Sequence, residues 1–132
     1  MKRPAPITTD DAKVYWDGCR NHKLLLQQCK ECACIQFPHR VVCTSCGSRN
    51  LSIVEASGRG VVYSYTVVER APAPEFQESI PYIVGLVDLE EGPCMMTNLI
   101  CGAEEARIGM AVTVDFDDDN EHVFPIFRPA TR

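Results

Sequence analysis

Two Cys-x-x-Cys pairs, Cys29/Cys32 and Cys43/Cys46, stand ten residues apart and limit what this chain can become. A Cys-x-x-Cys turn directs two thiolates at one point, and two such turns joined by a short hairpin complete a tetrahedral four-sulfur set suited to Zn²⁺. Gly47 follows the second pair, as the turn geometry favours. A closed four-cysteine site leaves no position for water or substrate, so its role is structural. A module this small has too little apolar core of its own, and a bound metal adds folding energy directly. A redox dithiol would sit at a strand-to-helix turn of a βαβ unit, which this sequence lacks. Iron fits the same four thiolates, and sequence does not separate it from zinc.

That reading needs reduced thiols. The opening "MKRPAPITTDDAK" has no apolar stretch of signal-peptide length, and no apolar run is long enough to span a bilayer. The expectation is therefore a cytoplasmic protein with no membrane partner, where cysteines stay free. At 132 residues, with 45% hydrophobic and 23% charged residues, the composition is globular. The formal charge of −5 and the scattered basic residues argue against a nucleic-acid partner.

The chain divides in three. Residues 1–9 read as a flexible tail, with Pro4 and Pro6 opposing helix initiation. Residues 10–49 read as a helix over about 10–20, with Thr9 or Asp10 as N-cap, followed by the cysteine ribbon. Residues 50–132 are strand-like. "LSIVEA" (51–56) and "VVYSYTVVER" (61–70), separated by "SGRG", suggest one long bent first strand. "YIVGLVDLE" (82–90), "CMMTNLI" (94–100), "MAVTVDF" (110–116) and "HVFPIF" (122–127) supply the others. Five short strands with a bent first one suit a small OB-type barrel, so the fold class is mainly β.

These segments, in order, resemble the DUF35 family, which joins a rubredoxin-like zinc ribbon to an OB-fold domain. The resemblance rests on the cysteine run followed by "GRGVVYSYTVV" (58–68), "PYIVGLVDLEEG" (81–92), "IGMAVTVDF" (108–116) and "PIFRPA" (125–130), and on the helix "YWDGCRNHKLLLQQC". The chain departs from the family pattern at Ala33, at His39 in place of the second proline of "FPPR", and at Thr44. The resemblance implies an accessory subunit of a thiolase-like enzyme acting on acyl-CoA. The larger partner would supply the nucleophilic cysteine and the acid–base groups. The small subunit would help bind or channel acyl-CoA and stabilise the assembly.

An acyl-CoA site needs cations for phosphates and an apolar groove for the arm and acyl chain. Phe37 and Arg40 in the ribbon and Arg59 in the glycine turn are the candidates, with Phe76 of the Pro-rich loop as a partner-facing anchor. No catalytic residue is expected: His22, His39 and His122 form no nucleophile–base motif, and a Cys34–His39 dyad reads instead as a packed thiol beside a surface imidazole. Cys19, Cys94 and Cys101 read as packing residues. The acidic run of Asp115, Asp117, Asp118, Asp119 and Glu121 lacks the glycine of a calcium loop, with Asn120 in its place, and reads as a solvated hairpin turn. Tyr63 and Tyr65 could stack bases on an OB face, but sharing that face with Val61 and Val67 makes it core.

Overall fold

The computed structural model describes residues 3–6, 9–119 and 122–130. After a 3₁₀ turn at Asp10–Ala12, helix α1 spans Lys13–Arg20. Thr9 makes no side-chain cap; its hydroxyl turns to the Asp11 carboxylate instead. Strand β1 (Leu25–Cys29) is the centre of a small antiparallel sheet, flanked by β2 (Ile35–Gln36) and β3 (Leu51–Glu55).

The remaining strands are β4 (Arg59–Val68), β5 (Tyr82–Leu89), β6 (Cys94–Leu99), β7 (Ala111–Asp119) and β8 (His122–Pro129). They close into a five-stranded barrel in the order β4-β5-β6-β8-β7, with β7 returning to β4. The fold is mainly β, with one N-terminal helix, a four-cysteine ribbon and an OB-type barrel.

Two expectations about the first strand change. Residues 51–55 pair with β1, so they complete the ribbon sheet and do not begin the barrel. Between the sheets Gly58 adopts φ +84, a left-handed turn that ends one ladder before the next starts. The parity of β4 also changes, because a bulge lies between Val62 and Ser64. Val62 is 1% exposed while Val61 and Tyr63 face outward; beyond the bulge Tyr65 turns inward, its hydroxyl donating to the Ala106 carbonyl at 2.9 Å. One extra residue moves the later side chains to the other face, so the four residues do not share one.

The ribbon and barrel are joined through α1. Tyr15 packs against Phe37 at 5.2 Å and His39 at 5.7 Å, both in the ribbon. Its neighbour Trp16 meets Phe124 of β8 edge-on at 5.8 Å. One apolar cluster therefore runs from Tyr15, Leu24 and Leu26 into Val62, Val87, Leu99 and Phe127 of the barrel. The N-terminal segment is tied down as well. Arg3, read from sequence as part of a flexible tail, donates to Asn98 Oδ1 and Asp117 Oδ2 and lies over the Phe124 ring.

Among the described residues no helix is long and apolar enough to cross a membrane.

Candidate metal centre and apolar groove

Cys29 closes β1, Cys32 lies in the turn after it, and Cys43 and Cys46 form the second turn. Their sulfur atoms all lie within 4.8 Å of one another, with Cys29–Cys46 and Cys32–Cys43 at 3.6 Å. A metal–sulfur bond of about 2.3 Å in a tetrahedron separates sulfurs by about 3.8 Å, so the four thiols fit one ion.

The two turns are built alike. The Ala33 N–H donates to the Cys29 carbonyl and the Gly47 N–H to the Cys43 carbonyl, each at 2.9 Å. Both closing residues are left-handed, at φ 67 for Ala33 and 79 for Gly47. Ala33 thus keeps the turn despite its Cβ.

The local amides prepare some of these thiols as thiolates. The Cys46 and Ser45 N–H groups hold the Cys43 thiol down at about 6. Cys29 is lowered too, first by the Cys32 N–H. Cys32 receives the Cys34 N–H, yet burial and neighbouring sulfurs push it up to about 12. Four clustered thiolates repel one another, and a cation removes that opposition. This donor set suits a structural metal.

Between the cysteine turns, buried amides organise the loop. Gln27 of β1 donates to the Arg40 carbonyl at 3.0 Å and accepts from the Arg40 N–H and Gln36 Nε2, both at 2.8 Å. Gln36 in turn donates to the Val42 carbonyl and accepts from the Thr44 N–H. Main chain beside the groove and main chain of the second cysteine turn are therefore fixed by one network. Buried polar groups satisfied in this way specify a single loop conformation.

That loop forms one wall of a groove of about 500 Å³. Phe37, Pro38 and His39 line the ribbon side, Trp16 the helix side, and Met95, Met96 and Phe124 the barrel side. Phe76 and Tyr82 stack at 5.3 Å and extend the wall. The lining is mostly apolar, with Arg3, Thr97 and Asn98 as polar points on the barrel side. A few fixed polar groups in an apolar cleft are typical of small-molecule sites.

The sequence-derived candidates separate here. Phe37 lines the groove, and so does Phe76. Arg40 is exposed beside that wall, its main chain held by Gln27. Arg59 is not brought to the groove; Glu90 holds it through a pair of contacts at 2.6 and 3.0 Å. Cys19 is fully buried, and burial pushes its thiol up to about 11. Cys34 and Cys94, read as packed thiols, are exposed, because Cys34 follows the outward Ala33 turn and Cys94 faces out from β6. His39, read as a surface imidazole, is 5% exposed.

The acidic hairpin has separate partners for its charges. Asp115 pairs with Arg128 and Asp117 with Arg3, each at 2.7 Å, and Asp118 lies 3.5 Å from His22. Asn120 and Glu121 lie outside the described residues.

Gln27, Gln36, Arg3, Trp16 and Tyr82 carry the groove and its supports, yet the sequence singles none of them out as a site residue. Trp16, Gln27, Gln36 and Tyr82 lie inside segments that carry the family resemblance, but nothing in those segments marks them as groove residues.

Residues 16–52 match the family model described as the ChsH2 rubredoxin-like zinc ribbon domain, and residues 53–117 match the ChsH2 C-terminal OB-fold domain. A DUF35 domain-containing scaffold protein of Pyrococcus furiosus is 36% identical over 123 residues, covering 87% of this chain and 90% of that protein. A probable enoyl-CoA hydratase alpha subunit of Thermomonospora curvata is 38% identical over 130 residues. That match covers 97% of this chain but 40% of the relative, so this chain spans well under half of its length. The solved Ltp2-ChsH2(DUF35) aldolase contains a chain that superposes with a TM-score of 0.88 at 36% identity, covering 96% of this chain and all of that one.

Proposed function

The chain belongs to the DUF35 family of zinc-ribbon and OB-fold proteins, and from that premise we propose that it is a non-catalytic accessory subunit of an enzyme complex acting on acyl-CoA. The observation that carries this reading is the aromatic groove at the seam of helix, ribbon and barrel. It offers an acyl chain apolar walls. The relatives' names, a hydratase alpha subunit and an aldolase chain, support a CoA-dependent assembly. The catalytic partner in this proposal is thiolase-like and supplies the reacting cysteine and acid–base groups.

In the same proposal Cys29, Cys32, Cys43 and Cys46 hold a structural Zn²⁺ that fixes the ribbon wall of the groove. Phe37 contacts the acyl-pantetheine part, and exposed Arg40 beside it meets the CoA phosphates. Arg59 is left out, since Glu90 already engages it. The free thiols suit a reducing compartment, which we take to be the cytoplasm.

Trp16 is the chain's only tryptophan and lines the groove, so its fluorescence reports occupancy. Titrating acyl-CoA thioesters of increasing length should shift this emission, with affinity rising by at most about fourfold per added methylene. Identical responses to octanoyl-CoA and free CoA would remove acyl binding from the proposal.

A further inference from the structure

A second cavity, of about 420 Å³, lies at the barrel end where β5 begins and β6 stops. Val67, Ile83 and Leu99 line it as direct cross-strand neighbours, and Ile100 and the half-buried Cys101 continue its wall. Tyr82 and Asn98 belong to both linings, so this cavity and the groove adjoin across one pair of side chains. Both members of that rim are held. Asn98 Nδ2 donates to the Ile83 carbonyl at 3.2 Å, its Oδ1 accepts from Arg3 at 2.8 Å, and Tyr82 stacks on Phe76. A ligand in the groove reaches the second cavity by crossing this rim.

The two ends of this combined space differ in charge. Arg40 stands exposed beside the ribbon wall of the groove. At the other end Gly102 lines the second cavity, and its N–H donates to the Glu105 carboxylate at 3.3 Å. The Glu104 carboxylate lies so close that a side chain at Gly102 would strike it. Burial, and then the charges of Glu105 and Glu104, push the Cys101 thiol up. Among the described residues no cation lines this cavity. An anionic group entering it would lose water and meet like charge, whereas hydrocarbon would meet apolar walls. Phosphates therefore belong at the ribbon end and an uncharged tail at the barrel end.

We propose that the second cavity receives the far end of a long, uncharged acyl chain whose nearer part fills the groove. The chain thereby selects long-chain acyl-CoA over short-chain acyl-CoA and over acyl groups ending in a carboxylate. This inference rests on the acyl-binding reading of the groove. Cys101 lines only the second cavity, so its thiol reports occupancy there, as Trp16 does for the groove. Cys94, exposed on β6 and outside both linings, serves as the internal control.

The test uses the metal-loaded full chain with submicellar octanoyl-CoA, hexadecanoyl-CoA and hexadecanedioyl-CoA, whose acyl chain ends in a carboxylate. Trp16 fluorescence measures affinity, and alkylation rates resolved residue by residue in the mass spectrometer report on Cys101 and Cys94. At ten times its Kd, hexadecanoyl-CoA should slow Cys101 alkylation about tenfold, and octanoyl-CoA by less than about twofold. Cys94 should react at an unchanged rate with both. Hexadecanedioyl-CoA should bind at least about tenfold more weakly than hexadecanoyl-CoA. Cys101→Phe, which fills the second cavity, should weaken hexadecanoyl-CoA by about tenfold and octanoyl-CoA by less than about twofold. The alkylation measurement needs no variant, so it stands even if Cys101→Phe fails to fold. Trp16-reported binding of hexadecanoyl-CoA with Cys101 unprotected, or with Cys94 protected equally, would overturn the role of the second cavity alone. Equal affinity for the two long-chain thioesters would overturn the selection against a terminal carboxylate. Failure of every thioester to shift Trp16 would remove the acyl-binding reading along with it.

Discussion

The ribbon and the barrel reach order by different physics. The barrel interior is apolar, with Val62, Val87, Val112 and Phe127 at most 1% exposed and its strand ladder closed on itself. The ribbon has a short three-stranded sheet, four clustered thiols and a buried glutamine pair. Hydrophobic burial is non-directional and tolerates adjustment, whereas thiolates and amides demand fixed partners. The groove takes one wall from each region. Its shape should therefore depend on the metal through the loop between the cysteine turns, whose main chain Gln27 and Gln36 hold.

The largest effect expected from this contrast is on the metal centre. Chelation, or Cys43→Ser, should abolish amide protection throughout β1–β3 while β4–β8 stay protected. The free energy involved is on the order of 10 kcal/mol of metal binding. Hydrogen exchange followed by mass spectrometry reads this, and uniform loss of protection would show that the two regions fold as one unit. Cys34→Ser should leave metal content unchanged, because its exposed side chain lies outside the four-sulfur set.

Next come the interiors. Gln27→Leu deprives the Arg40 main chain of its two side-chain partners and Gln36 of one, and should cost about 3 kcal/mol in denaturant unfolding of the metal-loaded protein. Leu99→Ala in the barrel should cost about 2–5 kcal/mol by cavity formation, with no change in metal affinity. A loss of metal from the Leu99 variant would blur the division between the regions. Smaller still, Ala33→Gly should stabilise by about 1 kcal/mol, since it relieves a side chain at φ 67. Arg59→Gln should change stability by at most about 1 kcal/mol and leave octanoyl-CoA affinity unaltered, because its pair with Glu90 is exposed.

Much of the architecture was legible because its signals are local. Cysteine spacing determines which sulfurs can meet, and runs of β-branched residues mark the barrel strands. What escaped depends on contacts distant in sequence. "LSIVEA" has the same β character whether it pairs with β1 or β5, so residues 51–55 were placed in the wrong sheet. The bulge after Val62 turns Tyr65 to the opposite face from Tyr63 without altering the composition of the strand. His39 resembles a surface imidazole until the Leu25 carbonyl and Tyr15 ring close around it. Phe37 could be chosen from its loop, but the groove it lines needs Trp16 and Phe124, which folding brings from opposite ends of the chain.

The most direct test of the accessory-subunit account is gentle affinity isolation of the chain from its native source, with bound proteins identified by mass spectrometry and counted. The account predicts a stoichiometric thiolase-like partner whose octanoyl-CoA affinity falls when this chain is removed. Recovery of the chain alone, or a partner whose acyl-CoA binding is indifferent to it, would contradict the account.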